Sequence, residues 1–103
     1  MEFERRKYKR VVVSFEVKFF GTQNYRARIA DISLGGCYVE TIAYVAVGEV
    51  LTLEIETPTG YWLKLRGKVE YTHQNVGFGV SFLPLSRNES DVLESLLEYE
   101  AVY

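Results

Sequence analysis

Apolar side chains fall at every second position through most of this chain, and no other feature limits its possible folds so strongly. Val13, Phe15, Val17 and Phe19 alternate with Ser14, Glu16 and Lys18. A period of two gives an extended strand one apolar and one wetted face. Gly21-Thr22-Gln23-Asn24 then supplies a turn. A second strand is expected from about Tyr25 to Ile32, with Ala27 and Ile29 facing opposite to Arg26 and Arg28. Ser33-Leu34-Gly35-Gly36 breaks it, and Cys37 to Glu40 reads as a short third strand. Ile42 to Gly48 connects to a fourth, in which Leu51, Leu53 and Ile55 alternate with Thr52, Glu54 and Glu56. Thr57-Pro58-Thr59-Gly60 is a strong turn signal. The fifth strand sets Leu63, Leu65, Val69 and Tyr71 against Trp62, Lys64, Arg66, Lys68 and Glu70. Gly67 falls on its apolar side, which predicts a bend or bulge there. After a polar turn near His73, Phe78, Val80 and Phe82 alternate once more.

The last segment changes period. Ser86-Arg87-Asn88-Glu89 has the S-x-x-E form of a capping box. Val92, Leu93, Leu96, Leu97 and Tyr99 follow at helical spacing. The prediction is an all-β domain of about six antiparallel strands with one C-terminal helix. Short strands and tight turns point to a barrel or a curled sheet. A length of 103 residues suits one domain rather than two. Its expected parts are a flexible basic arm over 1–10, the β-structure over 11–83 and a helix over 86–100.

Charge limits the function. The first ten residues carry five cations against two carboxylates, and residues 86–103 carry one cation against five. The whole chain nets −2, which disfavours a general nucleic-acid coat held by bulk positive charge. One cysteine, Cys37, excludes an internal disulfide and a multi-cysteine metal site, and one histidine, His73, leaves little for a zinc enzyme or a histidine-based triad. No nucleophile–base pair is visible, so a binder is expected rather than an enzyme, with no cofactor. The longest apolar run, Ile42 to Val47, is too short to cross a bilayer, and the first residues lack a signal-peptide stretch. A cytoplasmic protein is expected.

Two strings carry chemistry. The first is Arg5-Arg6-Lys7-Tyr8-Lys9-Arg10, with Arg6 and Arg10 four apart. A guanidinium is a flat fork of donors that fits two phosphate oxygens or the O6/N7 edge of guanine, and it also stacks on a base. The plain alternative is a solvated basic tail. The second is Asp31-Ile32-Ser33-Leu34-Gly35-Gly36, a D-x-S-x-x-G string at a strand end. An ionised Asp31 only accepts, so it suits the N1 and N2 donors of guanine. Ser33 can offer its hydroxyl to a base or phosphate, and Gly35 and Gly36 permit positive φ and a close approach of ligand to backbone. The plain alternative is a Ser or Asx turn closing a hairpin.

Taken together, Arg6-x-x-x-Arg10 followed by Asp31-x-Ser33-x-x-Gly36 resembles the PilZ domain family. Gly77-Phe78-Gly79-Val80-Ser81-Phe82 is similar to a stretch near that family's last barrel strand. The resemblance covers nearly the whole chain. It implies a six-stranded antiparallel β-barrel that binds cyclic di-GMP, a bacterial second messenger. It further implies that Arg6 and Arg10 grip guanine and phosphate, that Asp31 and Ser33 read a guanine, and that Gly36 is the turn glycine. Arg5 resembles the variant that accompanies a stacked ligand dimer. A stand-alone receptor is the expected reading, with the arm ordering on the ligand and altering an unidentified protein partner in motility, adhesion or exopolysaccharide control. Two rivals are a PilZ-fold adaptor that binds only protein, and a small barrel binding single-stranded nucleic acid through Arg5, Arg6, Arg26, Arg28 and aromatics. Elsewhere, His73 reads as a surface residue with no partner for a catalytic or ligand role, Cys37 as a buried small hydrophobe, and Trp62 as packed under a loop or the helix. Arg66 and Lys68 add charge to the site if their strand lies beside the arm.

Overall fold

The computed structural model describes residues 9–102, with side chains to residue 100. Six strands form: β1 (Val11–Phe20), β2 (Asn24–Ile32), β3 (Gly36–Glu40), β4 (Val50–Glu56), β5 (Trp62–His73) and β6 (Gly77–Phe82). One helix, α1 (Arg87–Val102), follows. Every strand pairing is antiparallel, and the sheet closes in the order β1-β2-β3-β6-β5-β4. Closure leaves no edge strand. It also turns the alternating apolar faces onto one shared interior, where Val17, Ile29, Val39, Leu53, Leu65 and Val69 are fully or almost fully buried.

The crossing from β3 to β4 adds Val45 to the core, and within it the Glu49 carboxylate accepts hydrogen bonds from the Ala46 and Thr22 amides at 3.1 and 2.9 Å. The helix packs on the barrel, contacting β1 and β5, with Leu93 and Leu96 in the core. Its start is the expected capping box: Glu89 N donates to Ser86 Oγ at 3.1 Å, and Ser86 N donates to Glu89 Oε1 at 2.9 Å. Tyr99 was expected on the apolar stripe but is exposed.

Strict alternation fails at three places, and each is a shift in register. Between β2 and β3, Ile29 pairs with Val39 and Asp31 with Tyr38, so Ala30 is an extra residue. Ile29 and Ile32, three apart, both point inward, and Asp31 is turned to the outer face, where its β1 partner Val12 is 86% exposed. A second shift lies in β1 between Val12 and Phe15. A third lies in β5, where Val69 pairs with Val80 and Tyr71 with Gly79, leaving Glu70 as the extra residue.

This third shift corrects the expectation at Gly67, which sits in regular register between Leu51 and Phe82. Gly67 is required instead by close packing, because a Cβ there would stand 2.3 Å from Val80 Cγ1. The same shift takes Tyr71 off the apolar stripe, and its ring stacks on Tyr38 at 6.2 Å. The fifth strand also runs on to His73, which has a partner: Tyr38 Oη lies 2.9 Å from its Nδ1. Trp62 is half-buried, with Lys18 Nζ 4.4 Å from its ring centroid.

Candidate ligand-binding cleft

The cleft is built around the turn between β2 and β3. Ser33 N donates to Gly36 O at 2.8 Å, and Ser33 Oγ accepts from Gly35 N at 3.1 Å and lies 3.4 Å from Gly36 O. Ser33 is 7% exposed, so its hydroxyl mainly shapes this turn. The turn glycines work differently from expectation. Positive φ among the described glycines occurs at Gly48 and Gly60, not at Gly35 or Gly36. Gly36 is needed because a Cβ would lie 2.0 Å from the Val80 carbonyl oxygen of β6. It lets β3 and β6 approach, and Phe82 N then donates to Gly35 O at 2.9 Å.

Just before the turn, the bulge at Ala30 presents Asp31 outward. Arg10, on the residues leading into β1, donates from Nη1 to Asp31 Oδ1. The two ends of the bipartite sequence pattern therefore meet in space, and Arg10, Ser33, Gly35 and Gly36 line one cleft of ≈ 800 Å³. Arg5 and Arg6 lie outside the described residues. The Arg10 and Asp31 side chains keep 45% and 28% of their surface, so opening this pair costs about 0.2–1 kcal/mol. A ligand phosphate or guanine can compete for either group at little expense.

Further lining comes from residues to which the sequence assigns no ligand role. The β5 bulge brings Glu70 and Tyr71 to the cleft, and Ser81 of β6 joins them. Ser81 Oγ donates to Glu70 Oε2 at 2.5 Å. Tyr71 lies across Gly79, where a Cβ would stand 2.3 Å from the ring. Leu83, Pro84 and Leu85, between β6 and α1, also line the cleft. The spacing Val69-Glu70-Tyr71 carries no visible mark of a bulge, so alternation alone assigns Tyr71 to the core. Lys68 of β5 is in register with Ser81, which is in register with Gly36, so it stands on a row leading to the turn.

Two neighbouring groups of β3 are shifted toward their neutral forms. Burial pushes the Cys37 thiol far above its usual range, the Asp31 carboxylate adds to this and the Arg10 cation opposes it. That thiol is inert packing, in keeping with its fit between Ile32 and Val80. The Tyr38 phenol is also raised, first by burial, then by Tyr71, Glu40 and Asp31, and it is protonated at neutral pH beside His73.

The structure is thus a closed six-stranded barrel with a terminal helix, bearing an arginine–aspartate pair beside a Ser-Gly turn. The profile of the PilZ domain family matches residues 4–99, and the chain belongs to that family. Among curated proteins no sequence relative matches. Solved structures do. The PilZ domain of YcgR from Escherichia coli, solved with c-di-GMP, aligns with a TM-score of 0.82 at 16% identity, covering 95% of this chain and 92% of that one. The Bacillus subtilis inhibitor of motility, MotI, aligns with a TM-score of 0.80 at 17% identity, covering 95% of this chain and 52% of that one. The PilZ domain of CeSA from a cellulose-synthesizing bacterium aligns at 0.71 and 15% identity, covering 89% and 98%. At these identities the likeness is one of fold. The chain spans about half of the MotI chain (52%).

Proposed function

We propose that this protein is a receptor for cyclic di-GMP, with Arg6, Arg10, Asp31, Ser33, Gly35 and Gly36 as its binding positions. The observation that carries the reading is the meeting of Arg10 and Asp31 at the rim of the Ser33–Gly36 cleft. Membership of the PilZ family supports it, as do the neighbours solved with c-di-GMP. Cyclic di-GMP offers two anionic phosphates and two guanines. Arginine forks meet the first and a carboxylate acceptor meets the second. Three or four charge-assisted bonds plus stacking, less the ordering of the arm, reach roughly −8 to −10 kcal/mol, or micromolar and tighter.

In this reading the ligand draws Arg6 and Arg10 onto itself and releases Asp31 to guanine. The reorganised arm then presents a changed surface to a protein partner, and Arg5 admits a second, stacked ligand. The nucleic-acid rival is disfavoured by the net charge of −2, and two of its cations are already paired, Arg26 with Glu16 and Arg28 with Glu40, each at 3.1 Å.

Calorimetric titration with cyclic di-GMP, cyclic di-AMP, GTP and a short single-stranded oligonucleotide tests the proposal. Binding of cyclic di-GMP alone is expected, with near two ligands per chain if Arg5 acts as proposed. Arg6→Ala and Arg10→Ala should each remove most of the affinity. Asp31→Ala should weaken it by about 1–3 kcal/mol, the cost of unpaired guanine donors. Equal affinity for the oligonucleotide, or no binding of cyclic di-GMP, overturns the reading.

A further inference from the structure

An acidic side chain in a cleft meant for a dianion needs a reason. Glu70 lines the same cleft as the Ser33–Gly36 turn, and among the described residues no cation pairs with it. Its one hydrogen bond among the described residues, from Ser81 Oγ to Oε2, fixes the carboxylate and leaves Oε1 without a described partner. Glu70 is the extra residue of the register shift in β5. Asp31 of β2, paired with Arg10 of the cleft lining, is turned to the outer face by its own register shift. The row Asp31, Tyr38, Gly79, Tyr71 crosses β2, β3, β6 and β5 in continuous register, so the two carboxylates flank one stretch of outer sheet about three strand spacings, roughly 14 Å, across.

We infer that Glu70 is a specificity residue that accepts the N1 and N2 donors of a second guanine, while Asp31 serves the first. The inference rests on the cyclic di-GMP reading above. An ionised carboxylate is an acceptor only, so it matches the paired donors of guanine and opposes the acceptor N1 of adenine. Ser81 holds it in place, as a supporting hydrogen bond does for a recognition group. A cyclic dinucleotide carries its two purines on opposite sides of one ring, which suits two acceptors set apart on one face. Whether the second guanine belongs to the same molecule or to a stacked neighbour is settled by the stoichiometry of the same titration.

The test compares cyclic di-GMP with the mixed cyclic GMP-AMP on the full chain, on Glu70→Ala and on Glu70→Gln. If Asp31 alone reads guanine, the mixed ligand turns its guanine to Asp31 and binds within about twofold of cyclic di-GMP, a statistical factor. With Glu70 reading as well, the unaltered protein should prefer cyclic di-GMP by about tenfold or more. Glu70→Ala should cancel that preference by weakening cyclic di-GMP without weakening the mixed ligand. Glu70→Gln, whose amide offers one donor and one acceptor, should shift the preference towards the mixed ligand. Equal binding of the two ligands by the unaltered protein, or equal losses for both in Glu70→Ala, overturns the inference and leaves the receptor reading standing. Failure of the unaltered protein to bind cyclic di-GMP overturns both.

Discussion

At the scale of single residues, the cleft depends on which atoms accept and which donate. Asp31 accepts from Arg10 across 21 positions of chain. Replacement Asp31→Asn keeps the shape but substitutes a donor for one acceptor, so affinity for cyclic di-GMP should fall by about 1–3 kcal/mol. The urea midpoint should move little, because an exposed pair contributes at most about 1 kcal/mol to folding. A second residue-scale prediction concerns acid. The Thr22 and Ala46 amides hold the Glu49 carboxylate below its ordinary 4.5, against a smaller upward push from burial. A depressed carboxylate stabilises the fold above its unfolded pKa, and the contribution is lost as pH falls through the folded value. Unfolding followed from pH 6 downwards should show this acid limb below about pH 4.5, and Glu49→Gln should flatten it. Arg10, Asp31 and Ser33 were legible in the sequence because each belongs to a short local string. Glu70 and Ser81 were not, because their meeting is fixed by the pairing of two strands.

At the scale of elements, the register shifts decide what the cleft contains. Ile29 and Ile32 are both buried, which a strand without a bulge cannot achieve at that spacing. The odd interval between two isoleucines was a readable trace of that bulge. Around Glu70 both neighbours, Val69 and Tyr71, suit a core, so no such trace exists. Gly36 is the element-scale constraint most open to experiment. Its missing Cβ faces backbone, the Val80 carbonyl at 2.0 Å, which cannot swing aside. Gly36→Ala should therefore push β3 from β6 and lower stability by about 1–3 kcal/mol in urea titration, with loss of the cleft's shape. Gly36, expected as a turn glycine with positive φ, is a packing position.

At the scale of the molecule, the barrel and the helix share one core. Leu93 has no exposed surface and joins the strand core from the helix. Leu93→Ala should cost about 2–5 kcal/mol in urea unfolding, through lost transfer energy and a residual cavity. The helix also follows directly on Leu83, Pro84 and Leu85, which wall the cleft, so loosening it should weaken cyclic di-GMP binding as well. By itself the sequence determined the six strands, the capped helix, the inward face of most strands and the two strings that meet at Asp31. Those are local properties, written in periodicity and in neighbouring side chains. Only the tertiary structure decided that β1 closes on β4, that Gly36 packs on backbone, and that Tyr71 leaves the apolar stripe. Strand partners and register depend on contacts between residues far apart in the chain, and alternation is the same for every partner a strand can choose.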